Sequence, residues 1–578
     1  MIDDGAGAAG TPESKAGARP SPRWSVAAFA AGAAFAVLSF GAMALDPGAV
    51  QWLLISDRGQ AFLGWHMVRH AKHPFALPLG SIPDYVAPHG ASLALTDSVP
   101  WFSLLLLPLS PLLPSVFQHA GIWLVLCYGL MALFSFRLLL RLSSDPLTSF
   151  VATLLVVINP VLLFRRFHLS LCAHWMIVAT LLLYAAPLRG GVARERTMAA
   201  LLLVLAAGTH PYLTVMVLGL VGAAAWARSR SWQELGASWL LYLVTSAVAL
   251  WAFGYLGHAD LAAPGFGEFS ANLLALVDPD GWSRVVPDVP SGPGEYEGFG
   301  FLGVGVLLVI SADLALLLRD RATRRPVTPP RSGPRVTALL VVVAAFTTFA
   351  LASHVRLGDR ELIDLSRPYA LLAPLPSILR ASGRFVWPLY YVVVFAALAS
   401  LRRRTSRAGY VAIVLLALCA QLADGWPRYA TQDVALMALT NPYRPLRAPA
   451  WRRIGADYRE IRLIPPAVVD TVCDEGSYPR FHYMPWAFVA GREGMRINSG
   501  HLSRYAGDVA ARCREQTDAV LAGRLEPEVV YVLSPAALAA SGLGSSRSAR
   551  CGILDGNTVC VAAGRDTDLA RALAGGLR

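Results

Sequence analysis

The sequence predicts an α-helical polytopic membrane protein of about eleven spanning helices, followed by a small α/β domain outside the bilayer. Three observations carry that prediction. Hydrophobic residues make up 55% of the 578 and charged residues only 15%, against about 25% charged in an ordinary soluble domain; mean hydropathy is +0.49. Apolar runs close to the length of a bilayer crossing recur between residues 25 and 424. Beyond residue 425 the pattern turns hydrophilic, and Cys473, Cys513, Cys551 and Cys560 all fall there. Such a chain is not a soluble globular enzyme, a disordered polymer or a nucleic-acid module.

Residues 1–24 are rich in Gly, Ala, Pro and Ser and read as a disordered cytoplasmic tail. The run 25–45 is too long for a signal-peptide core and is followed by no small-residue cleavage site, so it reads as an uncleaved first span. Further candidate spans are 120–141, 146–164, 173–188, 197–209, 211–227, 236–256, 299–318, 336–353, 385–401 and 408–424, the fifth of the whole set being the shortest. Each must be helical, because unpaired backbone groups in hydrocarbon cost several kcal/mol apiece. The run 98–117 is equally apolar but is broken by prolines, which remove helix donors and clash with the preceding turn. It reads as a re-entrant or interface-lying segment.

Orientation follows from arginine. With residue 1 in the cytoplasm, the inner loops hold Arg137 and Arg141; Arg189, Arg194 and Arg196; Arg228 and Arg230; the group from Arg319 to Arg335; and Arg402, Arg403, Arg404 and Arg407. That is the positive-inside pattern, and it accounts for the net charge of +12 without a nucleic-acid partner. An odd number of spans then places the C-terminus in the periplasm of a bacterial inner membrane, with outer loops at 46–119, 257–298 and 354–384. Four cysteines in one exported region predict two disulfides. Sequence does not fix their connectivity. The DGN turn between the apolar arms of CGILDGNTVC favours Cys551–Cys560 in a hairpin, which leaves Cys473–Cys513. The tail 425–578 further offers strand-like runs at 467–472 and 528–534 and an amphipathic helix around 508–525.

Polar residues crowd on the outer side. Asp57 lies about ten residues past the first span, and Asp97 precedes the proline-rich segment. A carboxylate beside apolar surface is partly desolvated, which suits a general base; each is otherwise an ordinary loop aspartate capping a turn or helix. Arg165, Arg166 and His168 sit on the translocated side against the charge rule. They read as a phosphate grip or as contacts to anionic lipid. His210 and Tyr212 flank Pro211 at a break between apolar runs, as ligand contacts or as a bare helix break. Glu297 lies in a Gly- and Pro-rich loop whose length points to function. Arg384 stands at the mouth of the tenth span, where it snorkels or binds phosphate. No Walker loop, GxSxG, HExxH or CxxC occurs, and Asp313 is the clear ionisable residue inside a span, which argues against an ion-coupled transporter.

One span, a long outer loop with an early acidic residue, a proline-rich interfacial segment and a span ending in Arg resemble the membrane glycosyltransferases of the GT-C superfamily. More closely, FLGWHMVRH, TDSVPW, FRRFHLSLCAHW, HPYLT, YEGFGFLG and SGRFVWPLYY look like an uncharacterised bacterial GT-C-like polytopic membrane family of unknown function, over roughly residues 50–425. The resemblance implies transfer of a sugar from a polyprenyl-phosphate donor to a glycan, lipid or protein acceptor of the envelope. It implies that Asp57 deprotonates or orients the acceptor hydroxyl and that Asp97 is the second carboxylate. Arg165, Arg166, His168 and Arg384 would neutralise the leaving phosphate, with His210, Tyr212 and Glu297 as further substrate contacts. A divalent cation (Mg or Mn) on Asp57 and Asp97 is the one cofactor implied; Arg58, where some metal-using members have a second acid, departs from that pattern. A flippase for lipid-linked glycans and a non-catalytic scaffold in envelope assembly are the alternatives. The glycosyltransferase reading requires Asp57, Asp97 and the Arg165/Arg166 pair to converge on one outward-facing pocket.

Overall fold

The computed structural model describes residues 22–185, 191–256, 262–323, 334–441, 445–469, 471, 473, 482–505 and 507–575. The expected N-terminal tail therefore lies, as far as residue 21, outside the described residues, and the first helix starts at Pro22. Each apolar segment named above contains helix among the described residues. In chain order the helices are α1 (Pro22–Phe40), α2 (Ser56–Val68), α3 (Pro100–Leu106), α4 (Ala120–Ser143), α5 (Pro146–Val157), α6 (Pro160–Phe164), α7 (Trp175–Ala185), α8 (Gly191–Ala207), α9 (Pro211–Arg228), α10 (Trp232–Ala252), α11 (Gly303–Ala322) and α12 (Pro334–Ala350). They continue with α13 (Ser366–Ala370), α14 (Leu375–Ile378), α15 (Trp387–Arg404), α16 (Arg407–Ala430) and α17 (Val434–Thr440).

Among the described residues, seven helical stretches are long and apolar enough to cross a membrane: Pro22–Phe40, Ala120–Ser143, Pro146–Phe164, Pro211–Arg228, Trp232–Ala252, Ser382–Arg404 and Arg407–Thr440. The expected count of about eleven is therefore not reached on length and composition. The stretches that end in Ala185 and Ala350 are short. Gly191–Ala207 also stops short and opens on Arg194, Glu195 and Arg196, and Gly303–Ala322 ends on Arg319, Asp320 and Arg321. The span 146–164 is interrupted before Pro160, where the Asn159 side chain accepts from the Leu162 amide at 2.8 Å and starts a new helical turn. Residues 98–117 form only seven residues of α-helix and a short 3-10 turn, with Leu105, Leu109 and Leu112 exposed.

Two small antiparallel pairs decorate the connections, β1 (Ser81–Ile82) with β2 (Ala91–Ser92) and β3 (His354–Leu357) with β4 (Arg360–Asp364). The C-terminal region is α/β. Its strands are β5 (Glu460–Ile464), β6 (Arg496–Ile497), β7 (Val529–Leu533), β8 (Ala549–Leu554) and β9 (Asn557–Ala562), and its main helices α18 (Met484–Glu493) and α19 (Val509–Leu521). The sheet order is β6-β5-β7-β9-β8, with β5 parallel to β6 and β7, and β9 antiparallel to β7 and β8. Both expected disulfides are present. Cys551 faces Cys560 across the β8–β9 hairpin, whose Asp555 and Gly556 take the positive φ values of a tight primed turn. Cys473 joins Cys513 on α19.

The strand expected at 467–472 is corrected. Val468 makes a single bridge to Gly500, and residues 470 and 472 lie outside the described residues. Nor does the C-terminal region stand apart. The Ala87 amide donates to the Ile497 carbonyl at 2.8 Å, Ile497 to Asp84 at 2.9 Å, and Ser503 to Leu95 at 2.8 Å. His66 on α2 meets the Phe488 carbonyl of α18 at 3.1 Å. One apolar core runs from the helical bundle through the 46–119 connection into α18 and the sheet.

Candidate functional site

Asp57 lies in the first turn of α2, where free backbone amides favour a negative charge. Ser56 before it takes φ 54, so the chain turns sharply into the helix. Asp97 itself takes φ 55, and the β-branched Val99 takes φ 50; such conformations are held only where the surroundings over-determine them. Here the surroundings do. The Ser98 hydroxyl donates to the Ala61 carbonyl at 2.7 Å and shares a 2.7 Å bond with Thr96, while Gln60 Nε2 donates to the Leu95 carbonyl at 3.2 Å. Gly64 lets the turn come this close: a Cβ there would stand 2.0 Å from Thr96 Oγ1. The two carboxylates are thereby fixed on one rigid unit.

Each faces an imidazole from the bundle. His168 Nε2 is 3.1 Å from Asp57 Oδ2. His210 Nε2 is 3.8 Å from Asp97 Oδ1. His210 caps α9, its Nδ1 accepting from the Tyr212 amide at 3.2 Å, so a neutral ring carries its proton on Nε2, towards Asp97. Burial holds both histidines below their ordinary values, with Asp57 opposing that for His168. Burial also pushes Asp97 up to about 6, with Arg384 drawing it down and Asp57 adding to the rise.

A buried triad stands alongside. Arg384 donates through Nε and Nη2 to both oxygens of Glu297, at 2.9 and 2.8 Å, and Arg165 Nη1 donates to Oε2 at 2.6 Å. Burial pushes the Glu297 carboxyl up, but the two guanidinium groups outweigh it and hold it well below the usual range. Gly383 permits the approach: a Cβ there would lie 2.6 Å from the Gly298 nitrogen. Arg384 also stacks over the Tyr212 ring at 4.8 Å.

These groups border one cavity of about 770 Å³. Its wall includes Asp57, Asp97, His168, His210, Tyr212, Glu297 and Arg384, with Leu250, Leu256, Leu375 and Ile378 on an apolar flank. Two expected members stay out. Arg165 is 1% exposed and spends its charge on Glu297, between the Phe164 and Trp387 rings. Arg166 donates to the Leu163 carbonyl. Neither lines the cavity, so the side-by-side phosphate grip expected of the pair is not built; Arg165 acts through Glu297. Three further wall residues, His501, Ser503 and Arg504, come from the C-terminal region. No sequence signal links them to a loop so far upstream. Asp57 and Asp97 each pair with a separate imidazole and form no close three-ligand group. Among the described residues the group that does is His354, Glu361 and Asp364 on the exposed β3–β4 hairpin. Each carboxylate is already paired with an imidazole, and no step is routed through the implied cation.

Fold and site together define a mostly helical protein with several apolar helices and one large cavity, to whose wall a disulfide-bonded α/β domain contributes. The chain belongs to the family described as Domain of unknown function (DUF6311), which matches residues 29–426. The DUF6311 C-terminal domain matches residues 450–562. No curated protein matches the chain.

Proposed function

We propose that the chain is a glycosyltransferase of a bacterial inner membrane that moves a sugar from a polyprenyl-phosphate donor to an envelope glycan, lipid or protein on the periplasmic face. The observation that supports this best is the single cavity where two imidazole-paired carboxylates meet a guanidinium pinned by Glu297. In the transfer, an acceptor hydroxyl oxygen bonds to the anomeric carbon as the bond from that carbon to the phosphate oxygen breaks. The phosphate leaves with the electron pair, and the acceptor proton passes to a carboxylate. Asp97 suits the proton, because burial brings it to about 6, near the working range of a general base. Asp57, hydrogen-bonded to His168, orients the hydroxyl. Arg384 keeps Nη1 for the leaving phosphate after committing Nε and Nη2 to Glu297. The apolar flank suits the lipid end of the donor.

The test is transfer by the full-length protein in proteoliposomes supplied with polyprenyl mono- and diphosphate hexoses and an envelope extract. Asp57→Asn and Asp97→Asn should each lower transfer by at least about 100-fold in protein that still folds and elutes as the wild type does. Wild-type kcat/KM should rise with pH through about 6, the value to which burial brings Asp97. Full transfer by both variants overturns the proposal.

A further inference from the structure

A single phosphate needs one guanidinium fork and a few hydrogen-bond donors. The cavity offers more. Arg380 and Arg384 reach it from the segment leading into α15, and Arg504 reaches it from the chain after β6, beside His501 and Ser503. Arg504 donates through Nη1 to the Ser503 carbonyl at 2.6 Å and through Nη2 to the Ile378 carbonyl at 3.3 Å. The C-terminal region is thus tied to the very segment that carries the other two arginines. Burial, with Arg380 next and Arg384 also contributing, holds Arg504 below its ordinary value, while Tyr212 and Asp97 draw it up. The carboxylate beside Arg384 is already shared with Arg165. Like charges gathered in a cleft repel, and an anion between them relieves the repulsion. Arg504 also borders a second cavity of about 270 Å³, with Ser81, His89 and Ser92, so it stands on a wall between two spaces.

We propose that the cavity grasps a diphosphate, with Arg384 on one phosphoryl group and Arg504 with Arg380 on the other. This rests on the transfer reading above and narrows it. The donor is a polyprenyl-diphosphate sugar, and the C-terminal domain is half of the anion site. The bond that breaks is still the one between the anomeric carbon and the phosphate oxygen. The diphosphate departs with the electron pair, and the acceptor proton goes to Asp97.

The experiment titrates the full-length protein in detergent with inorganic pyrophosphate and, separately, orthophosphate, read by calorimetry. Pyrophosphate should bind at least about tenfold more tightly, the increment of one further charge-assisted fork. Arg504→Ala should bring pyrophosphate binding down towards the orthophosphate level, and Arg504→Lys should restore part of the difference. If Arg504→Ala elutes as aggregate, Arg380→Ala serves instead, with the same expected loss of discrimination. Equal binding of the two anions by the wild type, or a preference that survives the substitution, overturns the inference. A second arm compares polyprenyl monophosphate with polyprenyl diphosphate as competitors of pyrophosphate. Competition by the diphosphate lipid alone supports a lipid-linked source, and competition by neither overturns it. Asp57-dependent transfer from a monophosphate donor, with no pyrophosphate preference, sinks this inference alone. A pyrophosphate preference without sugar transfer sinks the transfer reading alone.

Discussion

Glu297 is the residue on which the charge balance of the site turns. One carboxylate, 5% exposed, serves two guanidinium groups. Removing it leaves two buried cations facing each other, whereas removing Arg165 leaves a neutral pair. Breaking a buried pair from the side that strands charge costs about 3–5 kcal/mol. Glu297→Gln is therefore expected to lower the unfolding free energy by that much in thermal melts of the detergent-solubilised protein, and Arg165→Met by clearly less. An equal cost for both would refute the shared-carboxylate account. Asp97 adds a pH dependence of opposite sign in stability and activity. Burial raises it from its ordinary 3.8 to about 6, so the folded chain holds this proton where the unfolded chain has lost it. The contribution of Asp97 to stability is full at low pH and falls as pH rises through that window, while the base form needed for transfer grows over the same range.

At the scale of elements, α2 and the 92–98 turn act as one piece. Thr96 and Ser98 are buried against α2, and Gly64 is the position where the helix meets their side chains. Gly64→Ala should cost about 1–3 kcal/mol, as overpacking does, and lower transfer at least about tenfold by displacing Asp97, since a misplacement of about 1 Å can cost far more. Retained transfer with lost stability would mean that the turn does not position the carboxylate. Sequence carried much of this level. Hydropathy located the helices, because lipid solubility and helical hydrogen bonding leave few other solutions. The Asp555-Gly556 turn located the β8–β9 hairpin and with it one disulfide, which fixed the other by elimination. Sequence failed where partners come from far apart. Arg165 looked like a surface cation for a phosphate because nothing local reveals that Glu297, 132 residues on, takes its charge. The run at 467–472 looked like a strand because alternation shows an apolar face without showing which neighbour is there to pair with it.

At the scale of the whole molecule, the cavity and the C-terminal domain share one end, and most of the arginine clusters gather at the other. α9 and α15 follow His210 and Arg384, which lie beside the cavity, and end at Arg228 and Arg404. There Arg228 pairs with Glu195, Arg404 with Asp313 at 3.2 Å, and Arg407 with Asp145 at 3.0 Å. Internal ion pairs thus take part of the positive charge at that end, where Arg230 and Arg403 also lie, and under the positive-inside tendency the proposed orientation puts that end in the cytoplasm. The orientation can be measured with cysteines placed at exposed Lys72, Arg524 and Arg230, in a chain whose exposed Cys419 is first replaced by Ser. A membrane-impermeant maleimide added to spheroplasts should label the Lys72 and Arg524 positions alike and spare the Arg230 position until the membrane is opened. Labelling of Arg524 and Lys72 from different sides would contradict the packing of the C-terminal domain on the 46–119 connection. Labelling of Arg230 alone would keep that packing and invert the protein, which would place the cavity in the cytoplasm and remove the periplasmic donor from the proposed reaction.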